Sequence, residues 1–306
     1  MPHPSPSRAW LAKCTKLLIS LAAALVLTAC SPQALLVRGM ADSLAAQGQT
    51  AEDDIVLARE ASAFYLKLSE SVLRSTPGHL PLAEAVAGGY TQYAYAFVAF
   101  EADRIESTDA AAARRLRERA ARLYLRAHRH AMAALELHTP GLGQWLANPN
   151  PASDTKTPQL TDDEIGVAYW AAAAWGGHIA LSTDSPEAVA GLPGAMRLAR
   201  LAWARQPDFA DGGLATLMGS FETARPGGTA RQAQVYFHQA LAASRGRSAG
   251  PLVAQAESIA LAAGDRPAFE ALLQRALAVA ALRRDLPNEV MAQRAQWLLD
   301  TIDLRF

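Results

Sequence analysis

The first thirty residues constrain how the rest of the chain can fold, because they contain both of its cysteines, Cys14 and Cys30. Three basic residues and no acidic one precede an apolar run at 17–29, which ends in Leu27-Thr28-Ala29-Cys30. A basic start followed by a short apolar run with small residues at its end is typical of a secretory signal. The run is also short for a segment that spans a bilayer. We therefore expect residues 1–29 to be removed as a signal peptide.

The sequence Leu-Thr-Ala-Cys is that of a bacterial lipobox, in which the cysteine thiol accepts diacylglycerol. This pattern predicts a mature protein that begins at Cys30 and continues through an acylated tether at 30–33. More than one acyl chain makes such an anchor stable. Ser31 lacks the aspartate that often retains lipoproteins in the inner membrane, so the sequence favours a site on the outer membrane, facing the periplasm. An uncleaved anchor, or an ordinary signal peptide with a chance cysteine, is the alternative.

The mature chain would contain no disulfide, although exported proteins commonly use them. Its 277 residues are enough to bury a substantial core without one. Removal of residues 1–29 takes away three basic residues and leaves 26 basic and 29 acidic ones, a net charge of −3. This balance gives no general attraction to nucleic acid, so we expect no nucleic-acid partner.

Helical periodicity runs through residues 34–306, and no convincing strand alternation interrupts it. The pattern predicts long helices at 52–75, 81–106 and 109–138, then a proline-rich internal linker at about 147–160. Thr161 and Glu164 have the spacing of a capping box at the next helix start. Shorter helices follow, including 208–223 and 251–263, so the sequence predicts an all-α fold.

Several helices repeat the spacing found in tetratricopeptide units, where small residues allow two helices to approach and a larger one fills the next layer. The spacing of the second helix in such a unit occurs three times: Ala195, Ala199, Ala202 and Pro207; Ala120, Tyr124 and Ala127; Ala233, Phe237 and Ala240. We therefore predict a superhelix of antiparallel helix pairs with cryptic tetratricopeptide-like repeats.

Motifs of catalysis are missing from the sequence. It has no phosphate-binding loop, no nucleophile elbow and no His-Glu-x-x-His. His128 and His130 point to different faces of one helix and cannot share a metal ion. We therefore expect no enzyme activity, no metal site and no cofactor. An arginine-rich stretch within 114–129 is interpreted as a solvated or inter-subunit face.

Aromatic residues are dense on two predicted helices that flank the linker. The six candidates for a ligand site or pore are Tyr90, Tyr93, Phe97, Tyr169, Trp170 and Trp175. They could form the packed core of helix pairs, or some could line an apolar cavity. Gly88-Gly89 and Gly176-Gly177, one pair on each helix, would allow close helix approach or leave open volume. Because Trp170 and Trp175 are five residues apart, they cannot both be central on one helix face. We expect Trp175 to pack in the core and Trp170 to face the cavity or a subunit interface.

An ordered series of segments resembles the TatT family, the T-component lipoproteins of tripartite ATP-independent periplasmic (TRAP) transporters. The segments are Tyr93-Ala94 with Phe97, Arg122 to Ala127, Ala168 to Ala171, Trp175-Gly176, Leu192-Pro193, Ala204 to Phe209, Ala224 to Gly228, Tyr236-Phe237 with Ala240-Leu241, Gly264 to Arg266, and Ala292 to Leu299. The resemblance spans about residue 34 to the C-terminus.

This resemblance implies a trimer of tetratricopeptide-like subunits with a pore or groove. It also implies a partner, the periplasmic solute-binding P subunit of the transporter, and a hydrophobic or organic-acid ligand. The leading hypothesis is therefore a non-catalytic accessory lipoprotein of such a transporter. The alternative is a repeat lipoprotein that serves as a scaffold for protein assembly in the cell envelope.

We expect Cys30→Ala to abolish acylation and membrane retention while the helical domain still folds, because only the acceptor thiol is lost. Metabolic labelling with a fatty acid, followed by membrane fractionation, measures both effects. Label on the Cys30→Ala protein would show that Cys30 is not the lipidated residue.

Overall fold

The computed structural model describes residues 32–47, 54–148 and 157–306. Within these ranges the chain is helical and contains no β-strand, which confirms the predicted all-α class. The signal peptide and Cys30 lie outside the described residues. The first helix begins at Pro32 and so includes the last two residues of the predicted tether. Of the predicted linker, Asn148 and residues 157–160 have no regular structure, and 149–156 lie outside the described part.

Fourteen α-helices are numbered in chain order within the described ranges. The first six are α1 Pro32–Gln47, α2 Ile55–Ser75, α3 Leu80–Tyr93, α4 Phe100–Ile105, α5 Ala110–His138 and α6 Leu142–Ala147. The remaining eight are α7 Ile165–Ala180, α8 Pro186–Val189, α9 Leu192–Arg205, α10 Gly213–Ala224, α11 Ala230–Ala243, α12 Gly250–Gln255, α13 Arg266–Leu282 and α14 Leu286–Asp300.

Side-chain caps set several helix starts, two of them where the sequence predicted, whereas α2 begins at Ile55 and not at 52. The carboxylates of Asp54 and Asp109 accept hydrogen bonds from backbone amides in the first turns of α2 and α5. Thr161 and Glu164 form the predicted capping box ahead of α7. The buried Glu164 carboxylate also accepts from the Thr139 hydroxyl at 2.7 Å, which ties the end of α5 to the start of α7.

The helix predicted at 208–223 was placed too early, because α10 begins at Gly213. Ala210, Asp211 and Gly212 all have positive φ, and such left-handed conformations cannot continue a right-handed helix. At Gly212 a side chain is also sterically impossible, since a Cβ would lie 2.5 Å from the Ala240 carbonyl oxygen.

Two π-helical segments interrupt regions that periodicity predicted as ordinary helices. Ala94–Ala99 separates α3 from α4, and Ala256–Ala260 follows α12. A π-turn widens the helix by one residue per turn and shifts the side chains that follow it. The apolar spacing is too similar in the two helix types for the sequence to distinguish them.

Helix α7 occupies the centre of the larger core and packs against α3, α5 and α9. Four of its alanines, Ala168, Ala171, Ala172 and Ala174, are buried, as are small residues that face it, so the helices approach closely. A second core joins α12, α13 and α14 around Phe269 and Leu273. All the repeat-type positions in the three predicted second helices except Pro207 are buried.

Glu70 on α2 is the hub of a charged network at the edge of the larger core. Its side chain is 2% exposed and accepts hydrogen bonds from Arg126, from His130 at 2.7 Å and from Lys67 at 2.6 Å. Burial alone would raise the pKa of Glu70, but hydrogen bonds from Arg126, Lys67 and His130 outweigh it and hold the pKa far below its usual range. This carboxylate therefore holds α2 against α5 in its charged form.

We expect Glu70→Gln to lower the free energy of unfolding at pH 7 by about 2–3 kcal/mol, because a neutral amide cannot satisfy this set of cations. Since the folded pKa is depressed, the stabilisation is complete above the ordinary glutamate value of about 4.3 and is lost as the pH falls below it. Urea denaturation from pH 3 to 8 measures the difference. The exposed Glu60→Gln variant is the control, and equal curves for both variants would contradict the role of Glu70.

Candidate ligand-binding cavity

A cavity of about 1560 Å³ lies between the helices that surround α7. Its wall is formed by parts of α2, α3, α7 and α10, by the π-turn after α3, and by the start of α14. Most of the wall is apolar. Glu84, Asp103 and Arg294 are the charged residues that contribute to it among those the structure describes. Ligand sites have this character: a concave, mainly apolar surface with few polar groups.

Four of the six aromatic candidates lie in the cavity wall. Tyr93 and Phe97 meet edge to face, with ring centroids 5.5 Å apart. Tyr169 and Trp170 lie on the α7 side, with centroids 4.7 Å apart. Burial raises the pKa of Tyr169 to about 12, so its hydroxyl is neutral at physiological pH.

The other two candidates, Tyr90 and Trp175, lie outside the wall. Tyr90 is buried beneath the Arg126 guanidinium, 5.1 Å from ring centroid to carbon, next to Glu70. Burial and the negative charge of Glu70 raise the pKa of Tyr90 to about 12. Trp175 is partly buried and packs on the His128 ring with centroids 4.6 Å apart.

Glycines face the aromatic rings of the wall. A Cβ at Gly88 would lie 2.8 Å from the Trp170 ring, and one at Gly176 would lie 2.8 Å from Phe221. Gly177 has the same relation to Tyr124. Real Cβ atoms do not approach so closely, so each ring occupies space that any larger residue would take. The glycine pairs noted in the sequence thus make room for rings as well as for helix approach.

The π-turn Ala94–Ala99 contributes directly to the wall. Tyr95, Phe97 and Ala99 all line the cavity, as does Phe100 immediately after the turn. A regular helix would place fewer consecutive side chains on one side. The altered turn therefore enlarges the aromatic part of the wall, in keeping with the frequent presence of π-turns at functional sites.

Arg294 closes one part of the wall with a paired charge. Its guanidinium donates to Glu257 at 2.6 Å and to Asp103 at 3.1 Å. It also lies 5.3 Å from the Phe100 ring centroid and 5.6 Å from that of Tyr95. Two carboxylates and the aromatic rings thus surround this cation, which packs α14 against α4 and the two π-turns.

Sequence reasoning missed much of the wall. Tyr95, Phe100, Tyr124, Phe209 and Phe221 all line the cavity, but each also fits an ordinary buried helix position. The signal that could have found Tyr124 and Phe221 is the pair Gly176-Gly177, because a central glycine on an apolar helix requires a large neighbour. Glu84 and Arg294 carry no such signal.

The described residues contain neither a metal-ligand cluster nor a membrane-spanning helix. Within 32–47, 54–148 and 157–306, no group of three or more histidine, cysteine, aspartate or glutamate side chains is arranged to hold a metal ion. In the same ranges, no helix combines the length and apolar character needed to cross a bilayer.

The fold and the site define a protein that is all-helical in its described residues and has a large cavity lined by aromatic rings. Comparison with known families makes the assignment specific: the model of the TRAP transporter T-component family, TAtT, matches residues 51–306. The chain belongs to this family, which is an accessory component of TRAP transporters. It is also similar to an uncharacterized protein of Treponema pallidum (strain Nichols), with 26% identity over 260 residues that cover 81% of this chain and 79% of the relative.

Trp175→Ala should destabilise the fold by about 3–5 kcal/mol, because it removes a large ring packed between α5 and α9. The ring packs directly on Gly191 and Gly194, where an added Cβ would lie only 2.5 Å from it. Because these two residues have no side chains, they cannot fill the void that loss of the ring would leave. Trp170→Ala should cost less stability, because this ring borders the open cavity, and should weaken ligand binding. Thermal melts and binding isotherms on both variants measure the two effects. Equal destabilisation with unchanged binding would assign both rings to ordinary packing.

Proposed function

We propose that this protein is a lipid-anchored accessory component of a TRAP transporter that binds an apolar ligand in its cavity and docks the periplasmic solute-binding P subunit. The observation that carries the proposal is the cavity of about 1560 Å³ with its aromatic wall. Family membership supplies the transporter context.

The wall supports an apolar ligand for a physical reason. Water in a large space lined by aromatic and aliphatic groups has few hydrogen-bonding partners, so an apolar molecule gains free energy by displacing it. A volume of this size exceeds what one small metabolite needs and suits a long alkyl chain. The wall residues Tyr93, Phe97, Tyr169 and Trp170 would contact that chain.

The outer face of α5 supports a protein partner. Arg115, Arg119, Arg122 and Arg129 lie on one stripe of the helix, are exposed, and form no ion pair with residues that the structure describes. At 1.5 Å per residue the stripe extends roughly 20 Å. Such a surface is suited to an acidic patch on the P subunit or on a second copy of this chain, and its contacts would weaken with salt.

The remaining parts of the proposal concern assembly and location. The helix pairs form a tetratricopeptide-like superhelix, and three copies assemble into a homotrimer. Cys30 carries the lipid, which holds the protein in the cell envelope facing the periplasm, with the outer membrane favoured. The buried small residues of α5, α9 and α11 support the repeat packing.

Cavity occupancy can be tested with the Cys30→Ala protein, purified from the periplasm without detergent. We expect solvent extraction and mass spectrometry to recover an apolar molecule in near-stoichiometric amount. Ala173→Phe should exclude it, because Ala173 lies in the cavity wall and the added ring fills the space. Ala242→Phe, an exposed position on α11 outside the wall, is the matched control.

The Cys30→Ala protein also serves to test partner binding and assembly. We expect the P subunit of the cognate transporter to bind with salt-sensitive affinity, and light scattering to give a trimer. An empty cavity together with no binding to that P subunit would contradict the transport function and leave the scaffold alternative. A strict monomer in both low and high salt would contradict the trimer.

A further inference from the structure

One charged group in the cavity wall has no partner among the residues that the structure describes. Of the three charged residues there, Arg294 and Asp103 pair with each other at 3.1 Å. The third, Glu84 on α3, forms no hydrogen bond or ion pair with any residue that the structure describes. Burial raises the pKa of Glu84, and no neighbouring donor counteracts this. A partly buried carboxyl group that no described residue pairs with is costly, so its presence requires an explanation.

A glycine on the facing helix leaves room for this carboxyl group. A Cβ at Gly166 of α7 would lie 2.2 Å from the Glu84 carboxyl carbon, so a larger residue there would push the end of the Glu84 side chain aside. One turn further along both helices, Gly88 of α3 faces the Trp170 ring in the same manner. The contact between α3 and α7 therefore has two layers. In the first layer the Glu84 carboxyl group of α3 lies against α7, and in the second the Trp170 indole of α7 lies against α3. Both groups line the cavity.

We propose that Glu84 and Trp170 form the headgroup contact of the cavity, and that the ligand is an amphipathic cation, an alkyl chain with an ammonium group. This inference rests on the proposed ligand-binding function and deepens it by naming the ligand class. A carboxylate next to an aromatic ring is a suitable environment for an ammonium ion, since the carboxylate supplies charge and the ring face supplies a cation–π contact. The alkyl chain would lie along the aromatic wall.

Charge in the wall argues against an organic acid. The Arg294 guanidinium is the cation of the wall, and Glu257 and Asp103 already accept its hydrogen bonds. An anionic ligand would therefore find no available cation in the described wall and would be repelled by Glu84. Of the two ligand classes that family resemblance implies, hydrophobic or organic acid, the wall thus favours the first, with a cationic end.

The experiment compares three probes that share a ten-carbon chain: decyltrimethylammonium, decanol and decanoate. Each is titrated below its micellar concentration into the delipidated Cys30→Ala protein by calorimetry. We expect the cation to bind at least about ten-fold more tightly than decanoate, the scale of one desolvated cation–π contact with its counter-charge. Glu84→Gln should remove most of this preference. Glu60→Gln, an exposed position with the same change of charge, should keep it.

The outcomes distinguish the headgroup contact at Glu84 from the apolar ligand site itself. If all three probes bind equally and Ala173→Phe abolishes their binding, the cavity binds apolar chains and the role of Glu84 is overturned. Tighter binding of decanoate, or a cation preference that survives Glu84→Gln, overturns it as well. If no probe binds the Cys30→Ala protein with its cavity otherwise unchanged, both the headgroup contact and the apolar ligand site are contradicted.

Discussion

The structure depends on contacts in which a glycine on one helix faces a large side chain from another. Gly88 accommodates Trp170, Gly176 accommodates Phe221 and Gly177 accommodates Tyr124. In each contact the glycine lets two helix backbones approach, and the large side chain occupies the space beside the glycine. Because α7 takes part in all three contacts, it can lie at the centre of the core and still border a large cavity. Dense packing and open volume are thus produced by the same residues.

Charged networks at the edges of the cavity compensate for the packing that an open interior lacks. Glu70 joins α2 to α5, and Arg294 joins α14 to Asp103 and to Glu257 on the second π-turn. Both networks are multivalent, so losing one partner leaves others in place, unlike an isolated surface pair. The mature chain is expected to have no disulfide, so these networks and the helix contacts together must hold the wall in shape.

The sequence predicted the helices well and the cavity only in part. Caps at Asp109 and Thr161 have local signals, so the starts of those helices could be predicted, whereas the Asp54 cap places the start of α2 three residues later than predicted. Helix α10 was placed too early because Asp211-Gly212-Gly213, a turn signal in the sequence, was included in the helix. Four aromatic candidates lie in the wall because periodicity places them on the inner helix faces. Tyr90 and Trp175 lie elsewhere, since their orientation depends on partners distant in sequence, such as Glu70 and His128.

The central claim is that the space bordered by Trp170 and Tyr93 is a binding site for an apolar chain. The most direct measurement is a crystal structure of the Cys30→Ala protein soaked with a bromine-labelled alkylammonium, using anomalous scattering to locate the bromine. We expect a bromine peak inside the cavity, between the α3 and α7 walls. Aromatic rings that fill this space, or a bromine found only on the outer surface, would contradict it.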